Sequence, residues 1–104
     1  MRETLLVFDW DDPDDPQGNL RRIGESKYNV TVREVEEAMA AGRAWDYPRT
    51  LAGLPVRVAW VTTGRWIAVV YDALAVAADV HVVRVHYAYE VDAPWPRRGA
   101  EDQP

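Results

Sequence analysis

The chain has 104 residues, no cysteine and a formal net charge of −5. That length makes one domain with a real hydrophobic core, without need of metal or disulfide staples. Absence of cysteine excludes a disulfide framework, a thiolate nucleophile and a zinc ribbon, and the acidic balance opposes binding to nucleic acid through bulk charge.

In chain order, Leu5 to Trp10 reads as a short edge strand. The apolar run there is too short for a signal-peptide core, and no stretch is long enough to span a bilayer. The acidic segment Asp9 to Asp15, broken by Pro13 and Pro16, suits a helix entry, where the dipole is positive. It departs from a calcium loop, because prolines occupy ligand positions and no Glu closes it. A first helix is expected from about Gln17 to Ser26, with Leu20 and Ile23 inward.

Thr31-Val32-Arg33-Glu34 fits a capping box, followed by Val32, Val35, Ala38 and Met39 at helical spacing. Gly42 is the expected helix terminator, and Arg43 to Pro55 reads as irregular. After Pro55 the period becomes two. With Thr63-Gly64 as a two-residue turn, Trp60 faces Ile67, and Val56, Val58, Trp60, Ile67, Val69 and Tyr71 form the face under the helices. Arg57, Ala59, Val61, Trp66, Ala68, Val70 and Asp72 form the open face. The alanine-rich stretch Ala73 to Asp79 has room for a helical turn, and Asp79 to Val91 is the last strand. Its alternation sets Val83, Val85, Tyr87 and Tyr89 against Arg84, His86 and Glu90. The expectation is an α+β domain over residues 1–92, with two N-terminal helices on one face of an antiparallel meander of three to four strands. Residues 93–104 are expected to be a disordered tail.

Three groups of residues resemble BrnT-type toxins: Trp10-Asp11-Asp12-Pro13 with Gly18-Asn19-Leu20; Val30 to Glu37; and Thr62-Thr63-Gly64-Arg65-Trp66 to Tyr71, followed by Arg84 to Glu90. The resemblance covers most of residues 8 to 91, each motif being short. It implies a RelE-like fold and a cytoplasmic, metal-independent endoribonuclease toxin of a type II toxin-antitoxin system, with an antitoxin protein as partner and RNA as substrate. Two motifs depart from the family. Glu25-Ser26-Lys27 stands where a lysine-histidine pair is usual, and Tyr87-Ala88-Tyr89-Glu90 stands for S-A-R-K, losing two positive charges and gaining a negative one.

Metal-free RNA cleavage needs a base, an acid and cations on the phosphate. His86, Arg84, Arg57 and Glu90 are the catalytic candidates, with His86 as the acid or base. Trp66, Tyr89, Arg22 and Lys27 are candidates for substrate binding, Trp66 by stacking a base. The competing reading of Arg57, Arg84 and Glu90 is a cross-strand charge ladder. His81 is expected as an exposed edge residue. No cofactor motif or metal-ligand spacing is present in the sequence. The alternative function is a catalytically inactive relative that binds a protein partner, or itself as a homodimer, through the apolar face around Trp66.

Overall fold

The structure, a computed structural model, describes residues 5–24, 29–48, 53–77 and 79–95. Two helices and five strands follow one another as β1 (Leu5–Phe8), α1 (Asn19–Gly24), α2 (Val32–Ala40), β2 (Ala44–Tyr47), β3 (Val56–Val61), β4 (Arg65–Val76) and β5 (Val80–Val91). The sheet order is β1-β5-β4-β3-β2. From β2 to β5 each strand runs antiparallel to the next in the chain, while β1 lies parallel to β5 at the far edge. The fold is therefore α+β with a mixed sheet of five strands, in place of the antiparallel meander of three to four. A strand precedes the helices, and β1 can pair parallel with β5 because the intervening chain crosses over the sheet.

One face of the sheet packs against both helices. Ala59, Val61, Ile67, Val69, Val83, Val85 and Ala88 meet Ile23, Val30, Val35, Ala38 and Met39, with Leu6, Phe8, Trp10 and Tyr71 at the margins. Each of the larger aliphatic side chains buried there contributes about 1.5–3 kcal/mol. Helix α2 begins as the capping box demands. The Thr31 hydroxyl accepts from the Glu34 N–H at 3.1 Å, and the Glu34 carboxylate accepts from the Thr31 N–H at 3.0 Å. It ends without a left-handed glycine: Ala41 is extended, with φ −61° and ψ 132°.

The register differs from expectation at two single residues. Val61 pairs with Arg65, so the turn holds three residues, Thr62, Thr63 and Gly64, with Gly64 at φ 93° and its N–H bonded to the Val61 carbonyl at 2.9 Å. Glycine meets the positive φ that this longer turn requires. The extra residue swaps the faces of β3. Arg57, Ala59 and Val61 lie on the helix side, and Val56, Val58 and Trp60 join Trp66, Ala68 and Val70 on the other.

The second difference is a bulge in β5: Val70 pairs with Tyr87 but Tyr71 pairs with Val85, leaving His86 as the inserted residue. Beyond it the alternation reverses. Tyr87 and Tyr89 leave the helix side, Ala88 enters the core, and Glu90 joins Arg65 on the helix side.

Two further segments acquire structure. Ala44–Tyr47, expected as irregular, is an edge strand, and β4 runs through Ala73 to Val76 in place of a helical turn. Of the expected tail, Trp95 is seated against Tyr47 and Tyr89. Residues 96–104 of that tail, and Glu25 to Lys27, lie outside the described residues. No helix is long and apolar enough to cross a membrane among the described residues.

Candidate functional site

The second sheet face is aromatic. Its buried floor is Tyr47, Val56, Val58, Ala68 and Val70, bordered by Trp45, Leu54, Trp66, Tyr89, Val91 and Trp95. At the β2 end this face opens into a cleft of about 490 Å³ lined by Ala41, Arg43, Trp45, Trp60 and Trp66. Strand pairing places Trp60 beside Trp66, and Trp45 reaches over Val58 toward the same ring. Trp66 meets both indoles edge-on, at 5.4 Å and 80° from Trp45 and at 5.3 Å and 72° from Trp60. The Arg43 guanidinium lies 6.0 Å from the Trp45 ring. Trp60 is 53% exposed although it stands, at the turn end of β3, on a strand face that alternation makes apolar. An exposed apolar surface of this kind has a free-energy reason to be covered.

The eight sequence candidates do not assemble on this face. Arg57 lies on the helix side and holds the end of α2. Its Nε donates to the Ala38 carbonyl at 3.0 Å, its guanidinium also donates to the Ala41 carbonyl, and Nη1 meets both Asp46 oxygens at 2.9 Å. That geometry satisfies carbonyls left open by the helix terminus.

Glu90 is carried to the helix side by the bulge and pairs with Arg65 at 3.1 Å. Arg65 also binds the buried Glu34, at 2.8 Å through Nε and 2.7 Å through Nη2. Arg65, aided by Thr63 and the Thr31 N–H, holds the Glu34 carboxyl at about 2 against the opposing effect of burial. The Arg65 guanidinium is correspondingly raised, first by its bonds to Glu34.

Arg84 reaches the loop after β1, meeting Asp11 at 3.0 and 2.7 Å and Asp9 at 3.2 Å. These bonds lower the Asp11 carboxyl and raise the Arg84 guanidinium. His86 sits in the bulge, half-buried. Its Nε2 is enclosed without a hydrogen-bond partner among the described residues, 3.9 Å from an Asp72 oxygen. Arg22 donates to the His86 carbonyl at 3.1 Å and to that of Gln17 at 3.2 Å. Lys27 lies outside the described residues.

Trp66 and Tyr89 are on the aromatic face, Tyr89 stacked with Tyr87 at 6.0 Å. The structure thus brings Arg22, Arg84 and His86 near one another, and separates Arg57 and Glu90 from them. His81, expected at an exposed edge, is half-buried and lines a hollow of about 170 Å³ with Arg57 and Tyr71. Burial, followed by the Asp46 charge, raises the Tyr71 hydroxyl. No group of three or more His, Asp or Glu residues suited to a metal occurs among the described residues.

Sequence reasoning missed Arg43, Trp45 and Trp60 as one lining. Trp60 was placed in the core by the two-residue turn, and Trp45 lay in a segment read as irregular. The recoverable signal was the alternation Trp45, Tyr47 before a proline-punctuated link.

Comparison with family models, with curated proteins and with solved structures gave no match.

Proposed function

We propose that this chain is a binding module, a catalytically inactive relative in the BrnT-like sense, which engages a partner through the aromatic sheet face. The observation that carries the reading is the open cleft formed by Trp45, Trp60, Trp66 and Arg43. A surface lined by rigid rings gains contact area at little entropic cost, which is why aromatic residues and arginine dominate binding hot spots. The dispersal of the catalytic candidates supports the same reading. Arg57 and Glu90 are engaged in holding the helix and hairpin, and Arg84 is neutralised by Asp9 and Asp11.

The endoribonuclease reading has one observation in its favour. Arg22, Arg84 and His86 meet at one stretch of β5: Arg22 donates to the His86 carbonyl, Arg84 precedes His86 by two residues, and His86 Nε2 has no hydrogen-bond partner among the described residues. The toxin-antitoxin role and the cytoplasmic location belong to that reading. The test is incubation of the purified chain with total RNA in chelator, beside His86→Ala. The binding-module reading expects intact RNA from both. Cleavage by the wild type that the substitution abolishes would establish the ribonuclease in its place.

A further inference from the structure

We infer that the cleft of Arg43, Trp45, Trp60 and Trp66 docks an extended, proline-containing segment of a partner protein that carries one carboxylate for Arg43. This deepens the binding-module reading and rests on it.

Three observations converge on that ligand. The first is what the aromatic face already holds. As the chain leaves β5 it brings Trp95 to this face, where the Tyr47 hydroxyl donates to the Trp95 carbonyl at 2.6 Å. The Trp95 ring meets Tyr47 at 5.3 Å and Tyr89 at 6.4 Å. Trp95 packs on the same buried cluster as Trp45 and Trp66, so the cleft adjoins a surface on which a tyrosine hydroxyl already holds a chain carbonyl. Proline-rich segments in the polyproline II conformation make no internal hydrogen bonds, and their carbonyls remain available to aromatic donors.

The second is unused donor capacity. None of the indole N–H groups of Trp45, Trp60 and Trp66 donates to an acceptor among the described residues, and none of the three is enclosed as His86 Nε2 is. Backbone carbonyls of an extended segment would fill them, while proline rings stack on the indole faces.

The third is charge. Among the described residues Arg43 is the sole charged one lining the cleft, and it makes no ion pair with any of them. A guanidinium lying on an indole keeps its fork of N–H donors available for a carboxylate. With a net charge of −5 on the whole chain, a ligand with a single carboxylate placed at Arg43 fits better than a polyanion.

The test is a titration of the full chain with the peptide acetyl-PPLPPEP-amide, followed by tryptophan fluorescence, which the peptide itself lacks. The expected result is saturable binding, weakened about tenfold or more in Trp60→Ala and less in Trp60→Phe, which keeps a ring. Arg43→Gln should weaken binding by about three- to tenfold, and by no more when the peptide's Glu is also replaced by Gln, since the two changes remove one contact. Folding of each variant is checked by its thermal transition, Trp60 being exposed enough for its loss to spare the core. Binding unchanged in folded Trp60→Ala would overturn the site, and absence of saturable binding would overturn the ligand class. Heptauridylate taken up in a Trp60-dependent way, with the peptide ignored, would assign the cleft to single-stranded nucleic acid. A dimer dissolved by Trp60→Ala would assign it to a second copy. Both of those outcomes overturn the peptide while leaving the binding-module reading standing; failure of all three ligands would remove that reading as well.

Discussion

Glu34 occupies two roles with one carboxylate. It closes the capping box on Thr31 and anchors Arg65 and Thr63 of the β3–β4 turn, while Glu37 accepts from the Thr62 N–H at 2.6 Å and from its hydroxyl at 2.8 Å. Its carboxyl titrates at about 2 in the folded chain against an ordinary 4.5. A depressed folded value means that the contribution is complete above about pH 4.5, shrinks as pH falls, and is gone below about 2. Glu34→Gln should therefore cost about 2–3 kcal/mol at pH 7, with the gap to wild type narrowing by pH 2.5 in denaturant titrations. A gap independent of pH would refute the linkage. Arg57 is likewise structural. Arg57→Met should cost about 1–3 kcal/mol by thermal unfolding. Arg57→Lys should recover less than half of that loss, because one ammonium nitrogen cannot reach acceptors that the guanidinium meets from three separate nitrogens. Full recovery of stability in Arg57→Lys would contradict that reading.

Among the elements, α2 was readable from sequence because its signals are local: Thr31, Glu34 and the apolar stripe lie within one short segment. The sheet faces were not, because each depends on one residue. Thr63-Gly64 is compatible with a two- or a three-residue turn, and nothing local to His86 announces a bulge. Arg57 and Arg84 were recognised as cations, but their partners sit on other elements, so alternation alone could not tell a site from a brace. The Trp-Asp and Gly-Asn steps, and the Thr-x-x-Glu and Gly-Arg steps, turn out to be bonded in pairs. Asp11 and Asn19 exchange bonds of 2.8 and 2.9 Å, and Asn19 spans to the Asp9 and Val85 carbonyls at 3.0 and 2.9 Å. Gly18 is required there, since a Cβ would come within 2.8 Å of the Asp11 Cβ. The segments that carry the resemblance are thus parts of the scaffold. Deletion of His86 should leave a regular β5, with Val85 and Ala88 still on the helix side and Tyr87 and Tyr89 still on the other face, and unfolding should stay cooperative in thermal melts. Loss of the cooperative transition in the deletion variant would show that His86 is not a simple insertion in the ladder.

For the whole molecule, the two sheet faces divide the labour. The helix-covered face holds the hydrophobic core and closes its charges in local networks: Glu34 with Arg65 and Glu90, and Asp46 with Arg57. The other face concentrates exposed rings around the Arg43 guanidinium, which makes no ion pair among the described residues, and the proposed binding role rests on that distribution. Growth of a bacterial host on induced expression tests that division most directly, comparing the wild type with His86→Ala and Trp60→Ala at equal levels of folded protein. The account predicts normal growth in all three cultures. Arrest by the wild type and by Trp60→Ala, relieved in His86→Ala, would contradict it and place the activity at the bulge instead of the cleft.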